Sequence, residues 1–300
     1  MPPRTAPALL ALCVSLSWVG ARAQSGTDTM ARIKETRSIT LGVRDASRPF
    51  SFMNDKKQPV GYSVDLCLAA VEEIRRELKL PELKVQYKAV SGAERIPKLV
   101  AGEIDMECGS TTNTKARQEK VDFSYTIFVA GMRVLTPKEL RIDSVKDLNG
   151  LPVALSKGTT SEKLFTQLGA NEVKMQLQTF PSNVDAYKAL REGKVRAFPQ
   201  DDSLLLGLAA NDKALDVLGL STMALSVEPY AIMTRKGDAA LTAAIDRSLG
   251  KLYASGEIHN IYKKWFDTES LAIPMSRLTR DSFVRPNKEA GVAMLLGYSI

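Results

Sequence analysis

The feature that most restricts the fold is a short polar turn that occurs twice, each time between a predicted apolar strand and a predicted helix. The first copy is Gly109-Ser110-Thr111 and the second is Gly158-Thr159-Thr160. A helix that begins after such a turn leaves backbone N–H groups unpaired, and these groups attract anions. The two copies predict a ligand held between two similar lobes.

Arg117 follows the first turn, within the predicted helix or just before it. Its guanidinium can bind a carboxylate through two parallel hydrogen bonds. The alternative is an ordinary helix cap followed by a surface arginine. The first turn alone does not separate these interpretations, but its repetition favours a binding site.

Strands and helices alternate along the 300 residues, which predicts two α/β lobes, because a chain of this length exceeds one comfortable core. Extended segments near Gly131 and Tyr230 are predicted to cross between the lobes. Lobe one would be residues 33–131 and 232–300, and lobe two would be residues 132–231. The tail after Ser270 shows no clear period and is expected to lie along the surface.

Two helices are predicted in more detail. Apolar residues at helical spacing indicate a helix through Val64, Leu68, Val71, Ile74 and Leu78. The helix after the second turn is predicted to stop at Gly169.

Residues 1–23 have the pattern of a secretory signal peptide, with Arg4 before an apolar stretch and a cleavage site at Ala21-Arg22-Ala23. The mature chain is expected to be exported and soluble, since no later apolar run is long enough to span a bilayer. Without Arg4 and Arg22 the 41 basic residues fall to 39, against 34 acidic ones. This scattered excess does not predict nucleic-acid binding.

The mature chain keeps Cys67 and Cys108. They either form a disulfide in an oxidising compartment or are small buried hydrophobic residues. A zinc site is not expected, because His259 is the only histidine and no C-x-x-C motif is present. Neither a metal nor a cofactor is predicted.

Seven ordered motifs together resemble one protein family. They are GYSVDLC at Gly61, RIPKL at Arg95, ECGSTTNTKARQ at Glu107, VDFSYTIFVAGMRVL at Val121, SKGTTSEKL at Ser156, AFPQDDSLL at Ala197 and KWF at Lys264. Over most of the chain after Ile33, the sequence is similar to the periplasmic solute-binding proteins for polar amino acids, specifically the glutamate/aspartate-binding branch. The resemblance implies a two-lobed periplasmic binding protein fold (type II, flytrap) with two hinge strands. It also implies delivery of the ligand to an inner-membrane ABC permease, and we expect a monomer.

The resemblance assigns residues to the two α-groups of the ligand. Arg117 matches the arginine that binds the α-carboxylate, helped by Ser110, Thr112 and Thr160. Asp201 matches the acid that receives the α-ammonium.

Other residues are assigned to the ligand side chain. Arg44 and Arg95 match two arginines that face the side-chain carboxylate in the acidic branch, and a further hydroxyl falls at Ser91 or Gly92. Asn183 stands where this branch has a histidine, and an asparagine cannot become cationic. The preference among glutamate, aspartate and their amides therefore stays open.

The residue types suit a zwitterionic acid without the resemblance, because its two carboxylates and one ammonium each need a partner when buried. Arg44 and Arg95 are individually also compatible with surface charges. Asp202 is expected to cap the helix through Leu204, which leaves Asp201 to face the ligand. Three aromatic residues either wall the cleft or belong to the core: Phe50, Phe52 and Tyr62.

The leading hypothesis is a non-enzymatic binding protein for glutamate or aspartate, with glutamine or asparagine as the first alternative. A cyclohexadienyl-type dehydratase on the same scaffold would need a general acid in the cleft. The single histidine lies far from the motif loops, and Asp201 is expected to be ionised. A sensory ectodomain would need a membrane segment after lobe two, and residues 293–300 are too few.

Overall fold

The computed structural model describes residues 28–293 and 298–299, so the predicted signal peptide lies outside the described residues. The helices are α1 Thr29–Thr36, α2 Tyr62–Leu78, α3 Arg95–Val100, α4 Lys115–Gln118, α5 Thr160–Asn171, α6 Asn183–Arg191, α7 Asp202–Asn211, α8 Ala239–Ser255, α9 Glu257–Phe266 and α10 Arg277–Val284. The strands are β1 Ser38–Val43, β2 Ala46–Ser47, β3 Ser51–Met53, β4 Pro59–Val60, β5 Lys84–Ala89, β6 Met106–Cys108, β7 Val121–Phe123, β8 Phe128–Pro137, β9 Pro152–Ser156, β10 Gln176–Phe180, β11 Phe198–Asp201, β12 Leu218–Leu220, β13 Ser226–Tyr230, β14 Met233–Arg235, β15 Val292–Ala293 and β16 Tyr298–Ser299. Within these residues no helix combines the length and apolarity needed to cross a membrane.

The first sheet has five strands in the order β5-β1-β6-β14-β7. β1 pairs in parallel with β5 and β6, whereas β14 runs antiparallel to β6 and β7. Ile39 and Leu41 of β1 are fully buried in the apolar core beside this sheet. Val43 lies opposite Cys108, so the polar loops that follow β1 and β6 leave the sheet at the same edge.

The predicted helical spacing from Val64 to Leu78 is confirmed by α2. Val71 and Ile74 are buried, and Leu68 packs at the margin of the same core.

Cys67 of α2 and Cys108 of β6 form a disulfide, with their Cα atoms 6.1 Å apart. Of the two alternatives for these cysteines, the disulfide is correct. It joins α2 to the strand that leads into the first polar turn.

The second sheet is built on β8, a strand of ten residues. Its first part pairs antiparallel with β13, and its second part pairs antiparallel with β11. β9 pairs in parallel with β10 and bridges to β11's segment through Val153 and Ala197. The crossings predicted near Gly131 and Tyr230 correspond to β8 and β13, and the two-lobed α/β fold with two connecting strands is confirmed.

The apolar core divides into groups that follow the two sheets. The largest group includes Leu41 and Phe266 beside the first sheet. Two others include Phe165 and Leu205 beside the second sheet. Leu204 of α7 belongs to the largest group, and it therefore packs one half of the molecule against the other.

The predicted end of a helix at Gly169 is wrong, because α5 continues to Asn171. A Cβ atom at Gly169 would lie 3.1 Å from Leu177 Cδ1. This glycine gives room for the packing of β10 rather than ending the helix.

The tail after Ser270 forms regular structure that the sequence did not predict. α10 lies against β8, where the Thr279 hydroxyl accepts a hydrogen bond from Val129 N–H at 3.0 Å. β15 then pairs antiparallel with β13. The prediction failed because α10 buries the polar residues Thr279 and Ser282 together with a single large apolar residue, Phe283, which leaves little apolar periodicity.

Candidate functional site

One pocket collects all eight residues that the sequence assigned to the ligand. They are Arg44, Arg95, Ser110, Thr112, Arg117, Thr160, Asn183 and Asp201. The remaining lining residues are Thr159, Gln200 and Leu204. The eight residues come from widely separated parts of the sequence, and the fold brings them together.

The ends of strands and the starts of helices position these side chains. Arg44 directly follows β1, and Asp201 is the last residue of β11. Arg95, Thr160 and Asn183 are the first residues of α3, α5 and α6. This is the edge of an α/β sheet at which ligands bind.

The first polar turn is not the start of a helix, so the prediction of two equivalent turns is wrong. Residues 111–113 stay extended because they pair with residues 229–231, and Asn113 N–H donates to Pro229 O at 2.8 Å. α4 begins only at Lys115, with Thr114 as its cap.

The second polar turn is the predicted helix start. The Thr159 hydroxyl caps α5 by accepting a hydrogen bond from Glu162 N–H at 3.1 Å. Glu162 Oε2 in turn accepts from Gly158 N–H at 2.7 Å. The Glu162 carboxylate therefore already accepts from one of the backbone N–H groups that were predicted to attract an anion.

Arg95 and Arg117 are held by backbone and hydroxyl oxygens. Arg95 donates from Nη1 to Thr111 Oγ1 at 2.7 Å and from Nη2 to Gly158 O at 3.2 Å. Arg117 donates from Nη1 to Thr112 O at 2.8 Å and from Nη2 to the same Gly158 O at 3.2 Å. These bonds fix both guanidiniums beside the pocket, so neither arginine is an unattached surface charge.

Positive charge accumulates in the pocket. Arg44 and Arg95 are 7% and 3% exposed, which excludes the surface interpretation for both. Burial, and then the charge of Arg95, lowers the pKa of Arg44 to about 10 and the pKa of Arg117 to about 9. With these pKa values Arg44 and Arg117 remain protonated at neutral pH, and a bound anion would relieve the repulsion among the pocket guanidiniums.

Asp201 has one bonded and one unbonded carboxylate oxygen. The Tyr230 hydroxyl donates to Asp201 Oδ2, whereas the buried Oδ1 has no hydrogen-bond partner among the described residues. Burial, and then the charge of Glu228, raises the pKa of Asp201 well above its ordinary value. A cation at Oδ1 would favour the ionised carboxylate.

The expectation that Asp202 caps α7 is wrong by one position. Asp201 occupies the cap position without a side-chain cap bond, and Asp202 is the first helical residue. The Asp202 carboxylate accepts instead from Ser203 N–H at 2.6 Å, because it is one residue too late to reach the cap geometry.

Two buried carboxylates beside the pocket were missed. Glu228 Oε2 accepts from Thr160 Oγ1 at 3.0 Å, and the Thr112 side chain also bonds to this carboxylate. Glu107 Oε2 accepts from Thr111 Oγ1 at 2.7 Å. The available signal for Glu107 was a charged residue within an otherwise apolar strand.

Gln200 was also missed, although it directly precedes Asp201 on a fully buried strand. Its Nε2 donates to Asn183 Oδ1 at 3.0 Å. The Asn183 side chain thus lines the pocket and is also held by a hydrogen bond from Gln200.

The aromatic residues Phe50, Phe52 and Tyr62 belong to the core rather than to the pocket wall. Phe50 and Tyr62 are fully buried, and the ring centroids of Phe50 and Phe128 are 4.9 Å apart. Phe52 packs edge-on against Trp265.

Neither residue at the open register, Ser91 or Gly92, is among the lining residues of the pocket. The Ser91 hydroxyl accepts from Glu94 N–H at 3.2 Å, outside the pocket lining. A Cβ at Gly92 would lie 2.9 Å from Lys157 O, so this glycine allows a close approach of two loops. Within the described ranges, no group of three His, Cys, Asp or Glu side chains is suited to hold a metal ion.

The known proteins that are similar to this chain are solute-binding proteins. Residues 39–268 match the bacterial extracellular solute-binding proteins, family 3. The L-glutamate/L-aspartate-binding protein of Pseudomonas aeruginosa is 40% identical over 301 residues, which cover 97% of this chain and 100% of that protein. A glutamate/aspartate import solute-binding protein of Escherichia coli is 35% identical over 88% of each chain. A solved cysteine-binding protein from Campylobacter jejuni has a TM-score of 0.73 at 26% identity, covering 83% of this chain and 96% of that one.

Proposed function

Because the chain belongs to the bacterial extracellular solute-binding proteins of family 3, we propose that it binds glutamate or aspartate and delivers it to an ABC permease in the inner membrane. The names of the glutamate/aspartate-binding relatives support this ligand class. These relatives are binding proteins for transport, and the chain is accordingly a binding protein rather than an enzyme.

The charge arrangement of the pocket is the observation that carries the proposal. Arg44, Arg95 and Arg117 share the pocket with Asp201, whose Oδ1 has no partner within the described residues. An acidic amino acid has two carboxylates and one ammonium, which complement this set. An unpaired charge in such a buried place would cost several kcal/mol.

In this proposal the α-groups bind where Arg117 and Asp201 lie. The Arg117 guanidinium would bind the α-carboxylate, assisted by the hydroxyls of Ser110, Thr112 and Thr160. Asp201 Oδ1 would accept a hydrogen bond from the α-ammonium, whose charge would offset the burial and the Glu228 charge that raise the pKa of this carboxyl.

The side-chain carboxylate would bind to Arg44 and Arg95, whose buried Nε atoms have no partner among the described residues. Asn183 would contact the same carboxylate. Supporting this position, α6, which Asn183 begins, packs against β2, the strand that follows Arg44.

Closure of two lobes on the ligand is part of the proposal. Lobe one would comprise residues 33–131 and 232–300, and lobe two residues 132–231, with β8 and β13 as the hinge strands. The bonds of Arg95 and Arg117 to Gly158 O cross this boundary. A ligand that contacts both lobes would favour the closed state.

Export is also proposed. Residues 1–23 would be removed as a signal peptide, and the mature monomer would act in the periplasm. The description of the family as extracellular supports this location.

Glutamine or asparagine is the second candidate ligand, favoured by the uncharged amide of Asn183 in the pocket. Isothermal titration of the mature protein, freed of co-purified ligand, against glutamate, aspartate, glutamine, asparagine and arginine tests both. We expect tight binding of the two acids alone and its loss in Arg95→Ala. Binding of the amides or of arginine without a response to the acids would refute the proposal.

A further inference from the structure

Gln200 and Asn183, referred to below as the amide pair, are linked in series to the backbone of Asp201. Asp201 N–H donates to Gln200 Oε1 at 3.0 Å, and Gln200 Nε2 donates to Asn183 Oδ1 at 3.0 Å. Gln200 and Asn183 are 2% and 5% exposed. Both side chains also line the pocket.

This series fixes which end of each amide is which. A backbone N–H can only donate, so the Gln200 atom that meets Asp201 must be its carbonyl oxygen. The other end of Gln200 is then an NH2 group, and the Asn183 atom that receives its hydrogen bond must be Oδ1. The Asn183 NH2 group is left over, and among the described residues no acceptor bonds to it.

We propose that Gln200 determines ligand specificity by holding the Asn183 side chain with its NH2 group, not its oxygen, toward the ligand side chain. The inference rests on the proposed function and extends it to the choice between an acid and its amide. Arg44 and Arg95 also only donate. Arg44, Arg95 and the Asn183 NH2 group would therefore present donors to the ligand side chain, and a carboxylate accepts such bonds with both oxygens.

An amide ligand meets the opposite situation. Glutamine carries an NH2 group where glutamate carries a second oxygen, and that group would face guanidinium and amide donors. An amide oxygen can accept two hydrogen bonds, so Asn183 Oδ1 would be the natural acceptor for it, but in this proposal the bond from Gln200 holds this oxygen away from the ligand side chain. One ligand donor is left unpaired, which weakens binding of the amide.

The test measures the ratio of the glutamine Kd to the glutamate Kd by isothermal titration of the mature protein. Gln200→Met removes the hold on Asn183, which can then turn its oxygen toward a ligand amide. We expect the ratio to fall about tenfold. Gln178→Met, at an exposed position on β10, is the matched control and should keep the wild-type ratio.

A double-mutant cycle separates positioning from a general structural effect. If Gln200 acts through Asn183, Gln200→Met should not change the ratio in an Asn183→Ala background. A ratio that Gln200→Met leaves unchanged in the wild-type background, or lowers equally in both backgrounds, would overturn the inference. Gln200→Leu replaces Gln200→Met if the latter does not fold by circular dichroism. Wild-type protein that binds neither ligand would refute the proposed function itself, a result distinct from binding with an unchanged ratio.

Discussion

Arg95 and Arg117 donate to the same atom, the backbone carbonyl oxygen of Gly158, each from Nη2 at a distance of 3.2 Å. Two guanidiniums from one side of the pocket thus converge on one turn of the other side. This carbonyl oxygen orients both arginines independently of a ligand carboxylate. It also makes the Gly158 turn a contact point between the proposed lobes.

Gly158→Ala is expected to weaken ligand binding more than tenfold. Gly158 has a φ of +79°, and a Cβ atom there would lie 2.7 Å from backbone atoms of Ala93, so the two loops must separate. Gly193→Ala is the matched control, because Gly193 also has a positive φ, of 72°, but nothing within 4 Å of a Cβ. Both variants should lose about 1 kcal/mol of stability, and only Gly158→Ala should lose affinity in titration calorimetry. Equal affinity losses would show that the loop contact is irrelevant.

Arg117→Lys is expected to cost about 2 kcal/mol in binding, roughly a thirtyfold rise in Kd. A lysine keeps the charge but cannot donate to Thr112 O and Gly158 O and still present two parallel donors to a carboxylate. The control is Arg141→Lys, whose side chain is 75% exposed. An unchanged Kd for Arg117→Lys would mean that only the charge matters at this position.

Glu228→Gln is expected to change how stability depends on pH. Burial raises the pKa of Glu228 above its ordinary value of 4.5, so the folded protein binds this proton more tightly than the unfolded chain does. The stabilisation is present below pH 4.5 and is lost as pH rises through the raised pKa. Thermal unfolding of ligand-free protein from about pH 4 to about pH 8 should show wild type losing stability relative to Glu228→Gln. The stability of the control Glu82→Gln, at an exposed site, should depend on pH in the same way as that of wild type. The same pH dependence in Glu228→Gln and wild type would contradict the prediction.

Replacing the disulfide with Cys67→Ala and Cys108→Ala is expected to lower the free energy of unfolding by about 4 kcal/mol. The bond closes a loop with a sequence separation of 41, and removing it restores chain entropy to the unfolded state. Denaturant titration of the double variant measures the loss. A midpoint equal to that of wild type would show that the bond does not constrain the unfolded chain.

Much of the fold was predictable because the spacing of apolar residues is visible in the local sequence. α2 follows its apolar spacing, and β6 and β9 are the apolar strands predicted before the two polar turns. The prediction of a helix start after the polar turn at 109–111 was wrong because the conformation there is set by pairing with residues 229–231, which are far away in sequence. α10 escaped detection for the related reason that its buried Thr279 bonds to a distant strand.

The candidate site residues could be predicted as a set because the resemblance supplied their positions, and the structure gathers all eight in one pocket. The side chains that hold these residues in place could not be predicted. Glu107, Gln200 and Glu228 act on other side chains rather than presenting a recognisable ligand group, and such pairings become visible only when the loops are brought together. Whether each of the eight residues contacts a ligand remains a prediction.

The C-terminal elements have a practical consequence for building an optical biosensor. β15 adds a strand to β13, and α10 is bonded to β8, so this end of the chain lies on both connecting strands. Val292 is 40% exposed there, and the two cysteines of residues 28–293 are already bonded to each other. A fluorophore attached to Val292→Cys would sit beside β13, one of the two connecting strands, where its emission would report bending of that strand.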